Sequence, residues 1–235
     1  MNGLARVRGY RPPDLDDVYR VCLQTASNGG DGTALFRDPR LPGDTYAVPY
    51  AIFEPPLALV AEGAAGVSGY LVAALDTAEF RTRLDRDWWP AMRARHPEPP
   101  PEVARGLSLQ ERRALANIHQ PRHVAEDLLA RYPSHLHINL LPPLQGAGVG
   151  RRLITALLAR LKDAGSPGLH LTSGLENERA AGFYRHLGFT ELPADDMHLF
   201  VMDLRAPGSM DPRAPGWLTA RRPSARARRR RCGCS

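Results

Sequence analysis

Lysine is almost absent from this chain. Lys162 is the only one in 235 residues, and arginine takes its place throughout. With plentiful Ala, Gly and Pro, that bias reads as the coding style of a high-GC bacterial genome before it reads as function. Cysteine is equally scarce, and three residues do not make a disulfide framework. Cys22 falls in an early helical pattern as a small core side chain. Cys232 and Cys234, in "RCGCS", lack the further ligands that a metal site needs, so no metal is expected. No apolar run approaches the ~20 residues of a membrane span. The opening "MNGLARVRGYRPPD" has no apolar core of a secretory signal. A soluble cytoplasmic protein without membrane contact is expected.

Acidic residues are missing from one region only. The chain carries a formal net charge of +6. From Arg205 onward there are nine arginines and one acid, Asp211, which leaves residues 1–204 with 22 basic and 24 acidic side chains. The body is thus mildly acidic and the tail holds the whole excess, so net charge says nothing about the body's binding sites. The stretch 207–235 has no apolar period and is expected to be disordered. It reads either as a tether to nucleic acid or another anionic surface, or as a solubilising extension.

What is present is a run of alternating element types. "LARVRGYRP" predicts a strand over 4–10, and "PPDLDDVYRVCLQTA" a helix capped by Asp14. A loop-rich stretch holds a short helix near 46–52. Strands over 57–64 and 66–76 make a hairpin. Residues 77–133 look like a helical insertion. Phe80, Leu84, Trp88 and Met92 share one helix face, and Ser108 with Glu111 is a capping-box pair. "SHLHINLLP" predicts a strand over 134–142. A helix over 150–164, a strand over 168–174, a helix from Asn177 to Gly188 and a strand over 197–204 complete the series.

"QGAGVGRRL", Gln145–Leu153, lies between a strand and a helix, the setting of a phosphate loop. A nucleoside-triphosphate loop needs Lys-Ser/Thr after its last glycine, and here Arg151 and Arg152 follow Gly150. A dinucleotide fingerprint needs a third glycine at position 151, which is arginine. What remains is Gln-x-x-Gly-x-Gly. Its bare backbone can approach an anion closely, and the helix N-terminus adds partial positive charge.

Further on stands Asn177-x-x-Ala180-x-x-Phe183-Tyr184-x-x-x-Gly188-Phe189. The two motifs, in this order and spacing, resemble the GNAT superfamily of N-acetyltransferases. Within it, "RYPSHLHINLLPPLQGAGVGRRL" and the insertion resemble the acetyltransferase-like domain of O-GlcNAcases and its free-standing bacterial relatives. The resemblance implies an α/β fold of α+β type: a mixed, mostly antiparallel central sheet flanked by helices. One domain would span 1–206, with 77–133 as its insertion. It also implies acetyl-CoA as co-substrate and direct transfer to an amine acceptor that the sequence does not name, by a monomer or a homodimer. A different class of reading is a non-catalytic acyl-CoA-binding or interaction domain. The intact glycine loop speaks against it.

The same resemblance assigns roles. Gln145, Gly146, Gly148, Val149, Gly150 and Arg151 would wrap the coenzyme's pyrophosphate. Leu140 and Leu141 would border the gap for its pantetheine arm. Asn177 would contact that arm, and its other reading, compatible with the first, is a helix N-cap. Tyr184 would protonate the leaving thiolate, against the plain reading of a packed tyrosine. On the strand, Leu136, Ile138 and Leu140 share one face and His135, His137 and Asn139 the other, as a solvated face or a cleft wall. His137 is the candidate base, since a free imidazole titrates near ~6.5. Members of the family often carry His-x-Asp here, and its absence leaves open a dependence on proximity alone. Asn139 cannot act as a base, and it is read as an acceptor contact. Trp89, rather than Trp88, is expected to be exposed and to line the acceptor pocket. Asp195 and Asp196 read as an amine attractor or as a solvated loop.

Overall fold

The structure, a computed structural model, describes residues 5–121 and 124–205. The arginine-rich tail with Cys232 and Cys234 lies outside the described residues. Strand β1 (Arg6–Gly9) leads through a single 3-10 turn, Pro12–Asp14, into helix α1 (Leu15–Leu23). Asp14 stands at the predicted cap position but does not cap α1. Its carboxylate accepts the Arg8 guanidinium at 2.7 and 2.8 Å and the Arg11 N–H at 2.7 Å. A two-pronged charged donor outcompetes the helix's own N–H groups.

Helix α2 (Leu41–Tyr46) forms in the stretch read as loop, and α3 (Val48–Phe53) is the short helix predicted near 46–52. Strands β2 (Leu59–Gly63) and β3 (Gly66–Ala74) form the predicted hairpin, with a bulge at Ala61/Glu62. Helices α4 (Thr77–Asp87), α5 (Trp89–Arg95), α6 (Pro101–Ala104), α7 (Leu109–His119) and α8 (Glu126–Arg131) follow. Then come β4 (Ser134–Leu140), α9 (Val149–Asp163), β5 (Gly168–Ser173) and α10 (Glu178–His186). A short β6 (Thr190–Leu192), which the sequence reading missed, and β7 (His198–Asp203) end the series.

The seven strands form one sheet in the order β1-β2-β3-β4-β5-β7-β6. Every neighbouring pair is antiparallel except β4 with β5. The expected mixed, mostly antiparallel sheet flanked by helices is therefore present. Strand alternation divides the core in two. Leu71 and Ala73 of β3 face α9, whose Leu153, Ile154, Leu157, Leu158 and Leu161 are all fully buried. Each such side chain contributes about 1.5–3 kcal/mol on burial. Tyr70, Val72 and Ala74 face the other way, onto α1 to α5 and α7. Among the described residues no helix is long and apolar enough to cross a membrane.

The predicted single helix through Phe80 and Met92 is broken. Trp88 leaves helical geometry (φ −120°, ψ −58°), and Pro90 opens the next helix. The break shifts the buried face by one residue. Trp89 is 2% exposed, in the core beside Phe80, Leu84 and Met92. Trp88 is only partly buried and donates its indole N–H to the Asp44 carbonyl at 2.9 Å. Trp89 was expected at the surface, and this phase shift is why it is not. The Asp44 carboxylate, fully buried on α2, accepts from the Tyr19 hydroxyl at 2.5 Å and bonds His96 Nε2 at 2.9 Å. This polar knot fastens the end of α5 to α2. At α7, Ser108 accepts the Glu111 N–H at 2.9 Å as predicted, while the Glu111 carboxylate turns to Arg37.

Candidate active site

The site begins where the one parallel pairing ends. β4 and β5 are in register only at Ser134–Leu169 and His135–His170. Beyond them β4 runs on to Leu140 with its other edge still paired to β3. The two strands part, and the edge of β4 facing β5 is left open over residues 136–140. Gly69 on β3 lies opposite Leu140. A Cβ at that position would run into the Leu140 side chain and come within 3.1 Å of the Asn139 carbonyl.

A cleft of about 380 Å³ fills the gap. Its walls are Ile138, Asn139 and Leu140 of β4, the loop at Leu144–Gly146 with Gly150, and Asn177, Arg179, Ala180, Phe183 and Tyr184 of the facing helix. Thr25 and Gly29 border it from the loop after α1. Gly146 and Gly148 are both left-handed, with φ of +74° and +73°, a conformation costly for any residue with a Cβ. The first hydrogen bond of α9 runs from Arg152 N–H to Gly148 O at 3.1 Å. The N–H groups of residues 146–150 precede it and lie outside the helix's own hydrogen-bond ladder. A glycine-rich backbone of this kind at the start of a 15-residue helix fits a phosphate group.

The predicted loop residues divide by what their side chains do. Gln145 donates to the Leu140 carbonyl at 2.8 Å and accepts from Arg179. It ties the loop to β4 and α10. Val149 is buried, so only its backbone is available. Arg151 points away from the cleft, to His186 Nε2 at 2.5 Å. Arg179, which the sequence reading passed over, is the cation in the cleft wall. Leu141 does not face the cleft: its N–H donates to Ser68 O at 2.9 Å and its side chain packs in the helical core. The strand ends one residue earlier than predicted for that role. Asn177 caps α10 through Ala180 N–H at 3.1 Å and also lines the cleft, so both of its readings fit. Asp195 and Asp196 are exposed in the turn before β7 and line neither cleft.

Tyr184 is buried among Phe183, Phe189 and Phe200, at centroid distances of 5.4, 5.6 and 5.4 Å, and it also lines the cleft. Burial pushes its phenol well above the ordinary value, so it keeps its proton at neutral pH.

A second cleft, about 210 Å³, opens on the helical side of β4. His137 and Asn139 form its floor. Asn28, Tyr46, Gln110 and Arg113 are among its walls. Asn139 donates to the Tyr70 hydroxyl at 2.6 Å and borders both clefts. The polar face of β4 is thus a cleft wall. His137 Nε2 is 3.2 Å from the Tyr50 hydroxyl, and His135 Nε2 is 2.7 Å from the same oxygen. Burial, with a smaller contribution from His170, pushes the His137 imidazole down from 6.5 to about 4. It was expected to titrate near ~6.5 like a free imidazole. Partly buried in the wall of the second cleft, it is instead held uncharged at neutral pH, a proton acceptor of low basicity.

Residues 119–191 match the model of the Acetyltransferase (GNAT) domain. The crystal structure of SsHAT superposes with a TM-score of 0.76 at 33% identity, over 87% of this chain and 100% of its own. The chain belongs to the GNAT acetyltransferase family. A curated relative of this GNAT chain is the Protein O-GlcNAcase of Rattus norvegicus, 25% identical over 186 residues. That match takes in 79% of the chain and 20% of the relative, so the chain spans a fifth of that protein's length. The fold also recurs in yncA from Salmonella typhimurium, solved with its cofactor acetyl-CoA (TM-score 0.51, 14% identity, 88% of this chain and 97% of that one). The two motifs that carry the family resemblance fall on the loop 145–150 and on α10, on facing walls of the first cleft.

Proposed function

We propose that the chain is an acetyl-CoA-dependent N-acetyltransferase that passes the acetyl group directly to a primary amine. The observation that carries this reading is Asn139, which stands in the wall of both clefts. A ligand lying along the open edge of β4, with its phosphates at the loop, has its far end where the second cleft begins. The loop's N–H groups, with Arg179 beside them, suit a pyrophosphate. The open edge at 136–140 suits a pantetheine arm that hydrogen-bonds like an added strand. When bound, acetyl-CoA supplies a thioester, which is an acyl donor to an amine.

The chain's own residues then have two tasks. Tyr184 holds a proton for the thiolate that leaves, and its raised pKa keeps that proton available. His137 takes a proton from the attacking nitrogen, directly or through water, and its neutral state leaves a lone pair ready. Holding both reactants at one junction contributes several kcal/mol more. Residues 1–206 act as one domain in this reading, and α7 of the stretch 77–133 lends Gln110 and Arg113 to the wall of the second cleft.

The test is calorimetry with acetyl-CoA, followed by a panel of amines with free-thiol detection. Saturable binding with thiol release on at least one amine is expected. Absence of acetyl-CoA binding overturns the proposal. Binding with no thiol release across lysine peptides, peptide N-termini, amino sugars and polyamines makes the chain an acyl-CoA-binding domain instead.

A further inference from the structure

Five groups run in a line beneath the second cleft: the Pro133 carbonyl, Thr77, His135, Tyr50 and His137. The Thr77 hydroxyl is 2.6 Å from Pro133 O and 2.6 Å from His135 Nδ1. Tyr50 continues the line, 2.7 Å from His135 Nε2 and 3.2 Å from His137 Nε2. Each hydroxyl has one proton, and the carbonyl can only accept. That decides every position. Two oxygens at 2.6 Å need a proton between them, so Thr77 donates to Pro133 O. Thr77 then accepts from His135, which must be protonated on Nδ1. A neutral His135 has a lone pair on Nε2, and Tyr50 donates to it. Tyr50 oxygen is left to accept from His137 Nε2–H. His137 therefore has its lone pair on Nδ1. That nitrogen meets no hydrogen-bonding group among the described residues, and His137 lines the second cleft.

We propose that Thr77, His135 and Tyr50 are positioning residues that fix the tautomer of His137, with Nδ1 kept as a proton acceptor for the amine in the second cleft. The role of that acceptor rests on the N-acetyltransferase reading; the order of the protons does not. The anchor is Thr77, at the start of α4 and three links away from the His137 ring. Without its hydroxyl, His135 is free to place its proton on Nε2 and donate to Tyr50. Tyr50 then turns its proton to His137 Nε2, and His137 moves its own to Nδ1. The line reverses, and the lone pair is withdrawn from the cleft. The groups facing the line from other elements are the rings of Phe80, Tyr46 and His170. His170 donates from Nδ1 to the Tyr132 carbonyl at 2.7 Å.

Long-range ¹H–¹⁵N spectra of the histidine rings in the full chain test this directly, with assignments from single His→Gln variants. In the wild type, His135 is expected as the Nδ1–H form, the minor form of a free imidazole, and His137 as the Nε2–H form. Thr77→Val is expected to invert both, and Thr77→Ser to invert neither. In Thr77→Val/Tyr50→Phe, His135 is expected to switch without His137 following it. On the best amine, Thr77→Val should lose about tenfold or more in kcat with acetyl-CoA affinity unchanged, and Thr77→Ser should stay within about twofold. An Nε2–H form of His135 in the wild type overturns the proposal. So does a Thr77→Val protein that keeps both tautomers with its amide spectrum intact. The spectra need no turnover: expected tautomers in a protein that acetylates nothing would leave the proton order standing and remove the enzymatic reading.

Discussion

The two clefts that meet at Asn139 are built from different materials. The first joins backbone features, a loop of left-handed glycines, the start of α9 and the open edge of β4, to side chains of α10, all drawn largely from residues 138–184. The second is side chains gathered from α1, α2, α7 and β4, more than a hundred residues apart in sequence. The first suits a ligand common to a whole family, because backbone donors make the same contacts whatever the side chains. In the proposed reading the second is where an individual acceptor is chosen, because its walls are side chains rather than shared backbone.

The largest expected effect separates the clefts by stability. Asp44→Ala leaves Tyr19 and His96 without the carboxylate they share, and breaking a buried polar pair costs about 3–5 kcal/mol. Chemical denaturation should show that loss. At temperatures where the variant stays folded, acetyl-CoA should still bind, since only Thr25 and Gly29, after α1, link the first cleft to the helix that carries Tyr19. Gly148→Val is the reverse experiment. A β-branched residue at φ +73° displaces the loop, and acetyl-CoA affinity should fall about a hundredfold by calorimetry, with the histidine spectra unmoved. Equal damage to both sites in either variant would end the distinction.

Tyr184→Phe probes the junction itself. It should lower kcat about a hundredfold while acetyl-CoA affinity and melting temperature hold, because the ring packing with Phe200 and Phe189 is kept. A Phe variant with full turnover would reduce Tyr184 to a packing residue. Acid should act on the second cleft first. His135, His137 and His170 are all held below 6.5 in the folded state, so between pH 6.5 and about 4 the unfolded chain binds more protons than the folded one. Stability should therefore fall as pH falls through that window, and His137→Gln should flatten the fall in melting curves. The smallest change is Arg179→Ala, an exposed cation. Acetyl-CoA affinity should weaken by about threefold at low salt, with the difference vanishing at high salt.

The backbone-built cleft was legible in the sequence, and the side-chain-built one largely was not. Glycines before a helix, an N-cap asparagine and an alternating strand are local patterns, and each falls on the element predicted for it. The O-GlcNAcase-like relatives and the mostly antiparallel sheet match what those motifs implied. Arg179 escaped notice because an arginine in the first turn of a helix looks like any solvated charge. Tyr50 and Thr77 carried no pattern at all, since their partners lie 85 and 58 residues away. Trp89 and Leu141 were placed wrongly for a shared reason. Each depended on where an element ends, and one residue of slip at Trp88 or at Leu140 turns a side chain to the opposite side. The depressed pKa of His137 was equally invisible, because burial is set by helices that arrive from elsewhere in the chain.

Gly69 is far from the glycine motif in sequence and belongs to no chemistry, yet it acts as a volume control on the first cleft. Whatever side chain stands there displaces Leu140, whose carbonyl holds Gln145 and whose side chain is part of the cleft wall. Alanine would narrow the passage and larger residues would close it. Tolerance to mutation along β3 should therefore be lowest at a position that touches no ligand.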